Sequence, residues 1–122
     1  MREPRTRRRI EAGGRRAETI AAWRLRLAGY RILGTRIRTP FGEIDIAAAR
    51  GDVLAIVEVK ARPTVAAGVA AVTPMQRSRI AAAAQAYVGK REKLSRRRLR
   101  FDIVVVSPWR PPRHVRDAWR PG

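Results

Sequence analysis

Apolar positions in this chain change their period three times, and each change marks an element. Over residues 15–28, Ala17, Ile20, Ala21, Leu25 and Ala28 fall at helical spacing, and Gly29 closes the run. Residues 30–38 alternate in part, with Ile32 and Ile37 set among arginines, which predicts an outer strand. Thr39-Pro40-Phe41-Gly42 reads as a turn. Two branched, apolar arms follow over 43–49 and 53–61, joined at Arg50-Gly51-Asp52, and predict a hairpin. Residues 62–72, rich in small side chains, read as a loop. Thr73, Pro74 and Gln76 then stand as N-cap, N1 and N3 of a second helix, a capping-box pattern that should run to about Val88 and stop at Gly89. A basic loop over 90–98 leads into "LRFDIVVVS", a strongly apolar strand, and a Pro- and Arg-rich terminal segment closes on "HVRDAW".

The predicted order is α-β-β-β-α-β. Strands apolar on both sides belong in a sheet covered by helices on both faces, an α/β architecture. At 122 residues the chain supports one core. The expected organisation is a basic, flexible tail over 1–12, a boundary at Gly13-Gly14, and a single domain over 13–122. Ala118 and Trp119 are expected to pack the terminal segment onto that domain, and His114 to lie at the surface.

Charge interrupts the hairpin where its arms should be apolar. If the turn is symmetric about Gly51-Asp52, Asp45 opposes Glu58 and Glu43 opposes Lys60. Opposed side chains share a face about 4.5–5.5 Å apart at Cβ, and Lys60 follows Glu58 on that face by the two-residue period. Two carboxylates so placed repel each other, and a divalent cation between them reverses the sign. An ammonium beside such a pair suits phosphodiester hydrolysis, in which a metal polarises phosphate and activates water and the lysine orients that water or offsets growing charge. The same acids could equally sit at a sheet rim, paired with arginines.

Composition narrows the metal and the partner. The chain has no cysteine and a single histidine, so disulfides and zinc sites built on Cys or several His are excluded. A bound metal must be held by oxygen, which favours Mg2+ or Mn2+. The formal net charge is +18, and all but three of the 28 cations are arginine. Such an excess fits a polyanion partner, nucleic acid first of all, because counterion release drives that binding. No apolar run approaches the ~18 residues of a membrane helix, and the expectation is a soluble cytoplasmic protein with no membrane partner.

"GRRAE", "GEIDI…GDVLAIVEVKAR", "RFDIVVV" and "HVRDAW", spread over residues 14–119, together resemble the YraN family of bacterial proteins. The resemblance implies a restriction-endonuclease-like core with a mixed sheet, similar to archaeal Holliday-junction resolvases. Asp45, Glu58 and Lys60 then match the acid, acid and lysine of the PD-(D/E)xK nuclease motif, with Glu18 as a helical third metal ligand. Glu18 shares a stripe with Ala22 and Leu25, and an acid near a helix start also complements the helix dipole. Gln76 resembles a polar residue that follows the motif in the resolvases, although its capping role already accounts for it. Asp102 suits a salt bridge with an arginine. Arg36, Arg38, Arg77 and Arg79 are the candidate phosphate contacts, and Glu43 is a further candidate at the site. The expected function is Mg2+-dependent cleavage of DNA, favoured over RNA, with branched structures as substrates and a homodimer as the analogous assembly. The alternatives are a nucleic-acid-binding module without turnover and an RNA- or ribosome-associated factor.

Overall fold

The structure is a computed structural model that describes the backbone of residues 3–121 and the side chains of residues 14–121. Its elements are α1 (Glu3–Leu27), β1 (Arg31–Thr39), β2 (Gly42–Arg50), β3 (Val53–Ala61), α2 (Val65–Ala70), α3 (Pro74–Gly89), α4 (Glu92–Ser95), β4 (Arg98–Val106) and β5 (Arg113–Trp119). The five strands form one mixed sheet in the order β1-β2-β3-β4-β5. β3 and β4 pair in parallel from Val53–Arg98 to Ala61–Val106, and all other neighbours are antiparallel. The α-β-β-β-α-β order is therefore present, with further elements added to it.

Both faces of the sheet are covered. On one, Ile80, Ala83 and Ala84 of α3 pack with Ile44, Leu54, Ile56, Ile103 and Val105. On the other, Ala21, Ala22 and Leu25 of α1 pack with Ile46, Ala55, Val57 and Val104. Of the stripe predicted on the first helix, Ala17, Ala21 and Leu25 are buried, while Ile20 is exposed. The α3 start is as expected: Thr73 accepts from Gln76 N, Gln76 accepts from Thr73 N, and Pro74 opens the helix.

Four differences from the sequence reading have physical causes. α1 does not start near Arg15 but runs back through Gly13-Gly14 to Glu3, over the residues expected as a tail. Interior glycine costs a helix only about 1 kcal/mol relative to alanine. Residues 65–70, read as loop, form α2, capped by Thr64 accepting from Ala67 N. Gly68 seats α2 against β4, since a Cβ there would collide with Val105. The terminal segment does pack onto the domain, but as an edge strand, with Trp119 buried against Phe101 at a ring separation of 4.3 Å. His114, expected at the surface, stands opposite Val104 with its side chain buried.

Candidate active site

The β2–β3 hairpin has the register that places the acids together. Arg50–Val53, Ala48–Ala55 and Ile46–Val57 are partners, as a two-residue turn with Gly51 at φ 57° allows. The ladder ends at Ile46–Val57, and the next step in that register is Asp45–Glu58. In a continued ladder the Val59 amide would reach the backbone of Ile44. It donates instead to Asp45 Oδ2 at 2.8 Å, so a side chain takes the place of the next backbone bond and the strands part there. β2 also turns over at this point: Ile44 packs with the α3 layer and Ile46 with the α1 layer, although period two would put both on one face. Glu43 is correspondingly not opposite Lys60. It pairs across to Arg38 of β1, in an exposed ion pair at 4.0 Å.

Glu58 and Lys60 lie on β3 in step with Leu54 and Ile56, on the α3 side of the sheet. The Lys60 ammonium stands 3.7 Å from Glu58 Oε2, and both side chains are largely buried. Burial pushes Glu58 up to about 8, helped by the charge of Asp45 and opposed by Lys60. Burial also raises Asp45, against the lowering effect of the Val59 amide. The pair has one nearby cation and two acids in a dry place, so it holds a proton or accepts further positive charge.

Glu18 and Arg36 approach the pair from the edge of the sheet. Register places Arg36 opposite Asp45 across β1–β2, between Thr35–Ile46 and Ile37–Ile44. Arg36 has φ 49°, a left-handed backbone uncommon for a residue with a Cβ. Its Nε donates to Glu18 Oε1 at 2.6 Å, which raises the Arg36 pKa. The Glu18 charge reaches Asp45 and helps to raise it. Glu18 is thus beside the pair but bound by an arginine, and among the described residues no three His, Cys, Asp or Glu side chains stand together at metal-holding spacing.

The other candidates divide. Gln76 is engaged in the α3 cap. Arg77 donates to the Val72 carbonyl at 3.2 Å and lies over the Trp119 ring, so its place is in the packing. Arg38 is exposed, and Arg79 borders Gly42 in the β1–β2 turn. Sequence reasoning singled out neither Arg15 nor Arg26, which line a groove of about 380 Å³ between α1 and β1 together with Glu18 and Arg36. Their spacing of eleven along one helix face was the available signal.

A second buried carboxylate was expected to be structural. Asp102, wholly buried, accepts from Arg100 Nε at 2.8 Å and Nη2 at 2.7 Å, and from the Asp117 amide at 3.0 Å. His114 Nε2 lies 2.7 Å from its Oδ2. Burial alone would raise this acid, but the bonds from His114, Arg100 and the amide outweigh it and hold the carboxyl below its usual range.

The model of the Uncharacterised protein family UPF0102 matches residues 17–106, a span that includes Glu18, Arg36, Asp45, Glu58, Lys60 and Asp102. The chain belongs to the UPF0102 family. This is the YraN-like family that the hairpin motifs resemble. A UPF0102 protein of Caulobacter vibrioides is 52% identical over 106 residues, covering 87% of this chain and 85% of its own. One from Maricaulis maris is 48% identical over 118 residues, covering 97% and 93%. One from Paramagnetospirillum magneticum is 47% identical over 111 residues, covering 88% and 86%. No helix among the described residues of this UPF0102 chain is long and apolar enough to cross a membrane.

Proposed function

We propose that this protein is a metal-dependent nuclease that hydrolyses phosphodiester bonds of DNA, branched structures among them, on a restriction-endonuclease-like core. The observation that carries this reading is the part-buried Asp45–Glu58 pair at the parting of two strands, with Lys60 beside it. The residues suit Mg2+ or Mn2+: the donors are hard oxygens, and a pair in which Glu58 is raised to about 8 is stabilised by a divalent cation. Asp45 and Glu58 would hold the ion, with the Val59 carbonyl as a further oxygen and Glu18 within reach of the region. When bound, such an ion polarises phosphate and lowers the pKa of water. Lys60 offsets charge growing on the phosphoryl oxygens. Water oxygen bonds to phosphorus, the ester P–O bond breaks, and the leaving oxygen takes up a proton. The net charge of +18 supports a nucleic-acid substrate.

A binding module without turnover is the second reading, and one observation favours it. Glu18 is committed to Arg36 at 2.6 Å, so two carboxylates rather than three form the cluster. Cleavage of labelled branched and linear DNA with Mg2+ or Mn2+ separates the two. Under the nuclease reading the wild type cleaves, and Lys60→Ala lowers the rate about 10²–10³-fold with binding retained. Thermal unfolding is the companion measurement. Metal should raise the wild-type melting temperature, by mass action on the native state, and should not raise that of Asp45→Asn. No cleavage with any divalent metal, together with no metal-dependent shift in melting, would leave the binding module.

A further inference from the structure

The nuclease reading accounts for the acid pair and Lys60 but leaves the groove between α1 and β1 without a role. That groove runs from Arg15 and Glu18, whose charge reaches Asp45, to Arg26. Eleven residues of helix separate Arg15 from Arg26, about 16 Å along the axis. Thr19 and Ala22 of α1, with Thr35 and Arg36 of the edge strand β1, complete the lining. Three guanidinium groups against one carboxylate give it a positive balance, and Arg36 spans both ends of the question: it binds Glu18 and stands opposite Asp45.

The aromatic residue at its rim sharpens the choice of ligand. Trp23 is 58% exposed, and the Arg26 guanidinium lies over its ring at 5.2 Å from the centroid. The indole stands in water, with Ile20 and Leu27 of the same helix also exposed, in contrast to Trp119, which is buried. A π-face paired with arginine next to a cationic groove is the combination that holds unpaired bases while the backbone is neutralised alongside. Bases within a duplex are stacked on each other and do not offer that face.

We propose that the α1–β1 groove binds a single-stranded stretch of nucleic acid leading away from the acid pair, with Arg15, Arg26 and Arg36 on its phosphates and Trp23 stacked on a base. The proposal rests on the nuclease reading for its direction, since it assigns the track by which an unpaired strand reaches Asp45 and Glu58. A phosphate arriving at Arg36 competes with Glu18 for the guanidinium, so strand binding and the freeing of the Glu18 carboxylate are coupled.

The test is binding without turnover: fluorescence anisotropy of a labelled single-stranded oligonucleotide with the full-length protein in EDTA, over a range of salt. The expected result is that Arg15→Gln/Arg26→Gln weakens binding at least tenfold. It should also reduce the slope of log K against log salt by about 1.4, the single-strand value for two phosphates. Lys93→Gln/Arg96→Gln removes the same charge at α4 and should change affinity less than twofold. In a Trp109→Phe background, single-stranded DNA should quench Trp23 emission, an abasic oligonucleotide should not, and duplex should bind more weakly than single strand. Equal weakening by the two double variants would overturn the groove as the site. So would an unchanged affinity in Arg15→Gln/Arg26→Gln. Duplex binding equal to single strand with no effect of Trp23→Ala would overturn the ligand. Because no step requires cleavage, strand binding through the groove by a protein that cleaves nothing would reject the nuclease reading and leave this inference standing. Cleavage that is insensitive to Arg15 and Arg26 would do the reverse.

Discussion

Asp102, wholly buried, and the Asp45–Glu58 pair, largely buried, are carboxylates drawn from water within one sheet, and they end in opposite electrostatic states. Asp102 receives two bonds from Arg100, one from the Asp117 amide and one contact from His114, and stays ionised below its usual range. Asp45 receives one amide bond, Glu58 has Lys60 at 3.7 Å, and both are raised. The protein finishes the solvation of the first acid and leaves that of the second pair incomplete. A buried acid whose demand is met within the chain holds structure together. A buried pair whose demand is not met is a place for something else to bind.

The contrast makes opposite demands on mutation. Asp102→Ala strips the partner from Arg100 and His114 at a buried site and should cost about 3–5 kcal/mol, read by chemical denaturation. A cost near zero would remove the distinction between the two sites. The pair should respond to pH instead. Glu58 is raised from 4.5 to about 8, so the folded state binds more protons than the unfolded state between those values. The stability due to neutral Glu58 is present below about 4.5 and is lost as pH rises through about 8. Relative to Glu58→Gln, the metal-free wild type should therefore lose about 4 kcal/mol between pH 5 and pH 9, and millimolar Mg2+ should oppose the loss at the alkaline end. Asp102, held low, works in the other direction and costs stability only as the solution becomes acid. The smallest effect separates cap from chemistry at α3. Gln76→Ala should cost about 0.5–1 kcal/mol, the value of a helix cap, and leave the rate of DNA cleavage unchanged. A large loss of rate without loss of stability would move Gln76 into the site.

The hairpin was legible because its information is local. A two-residue turn fixes the register, the register fixes which residues oppose, and Asp45 and Glu58 follow from that alone. The capping box at Thr73–Gln76 was legible for the same reason. Asp102 was assigned to an arginine correctly, since a buried acid in a chain this basic finds one. His114 was misplaced because Arg113, Arg116 and Asp117 around it mask the strand pattern. Its burial comes from β5 lying beside β4, so that His114 meets Val104 and Asp102. α2 escaped notice because six small residues carry too short a pattern to show a helical period, and its helix is fixed by Gly68 seating against Val105.

Sequence by itself determined the layers, the register of the acid pair and the start of α3, all of which depend on residues within a turn or two of each other. Tertiary structure alone decided that Arg36 binds Glu18, that β2 and β3 part at Asp45 with its carboxylate on the Val59 amide, and that Arg15 and Arg26 line one groove with β1. Those outcomes join residues from elements far apart in the chain. Which charge meets which is set there by how the helix lies on the sheet, and no spacing along the sequence encodes that angle.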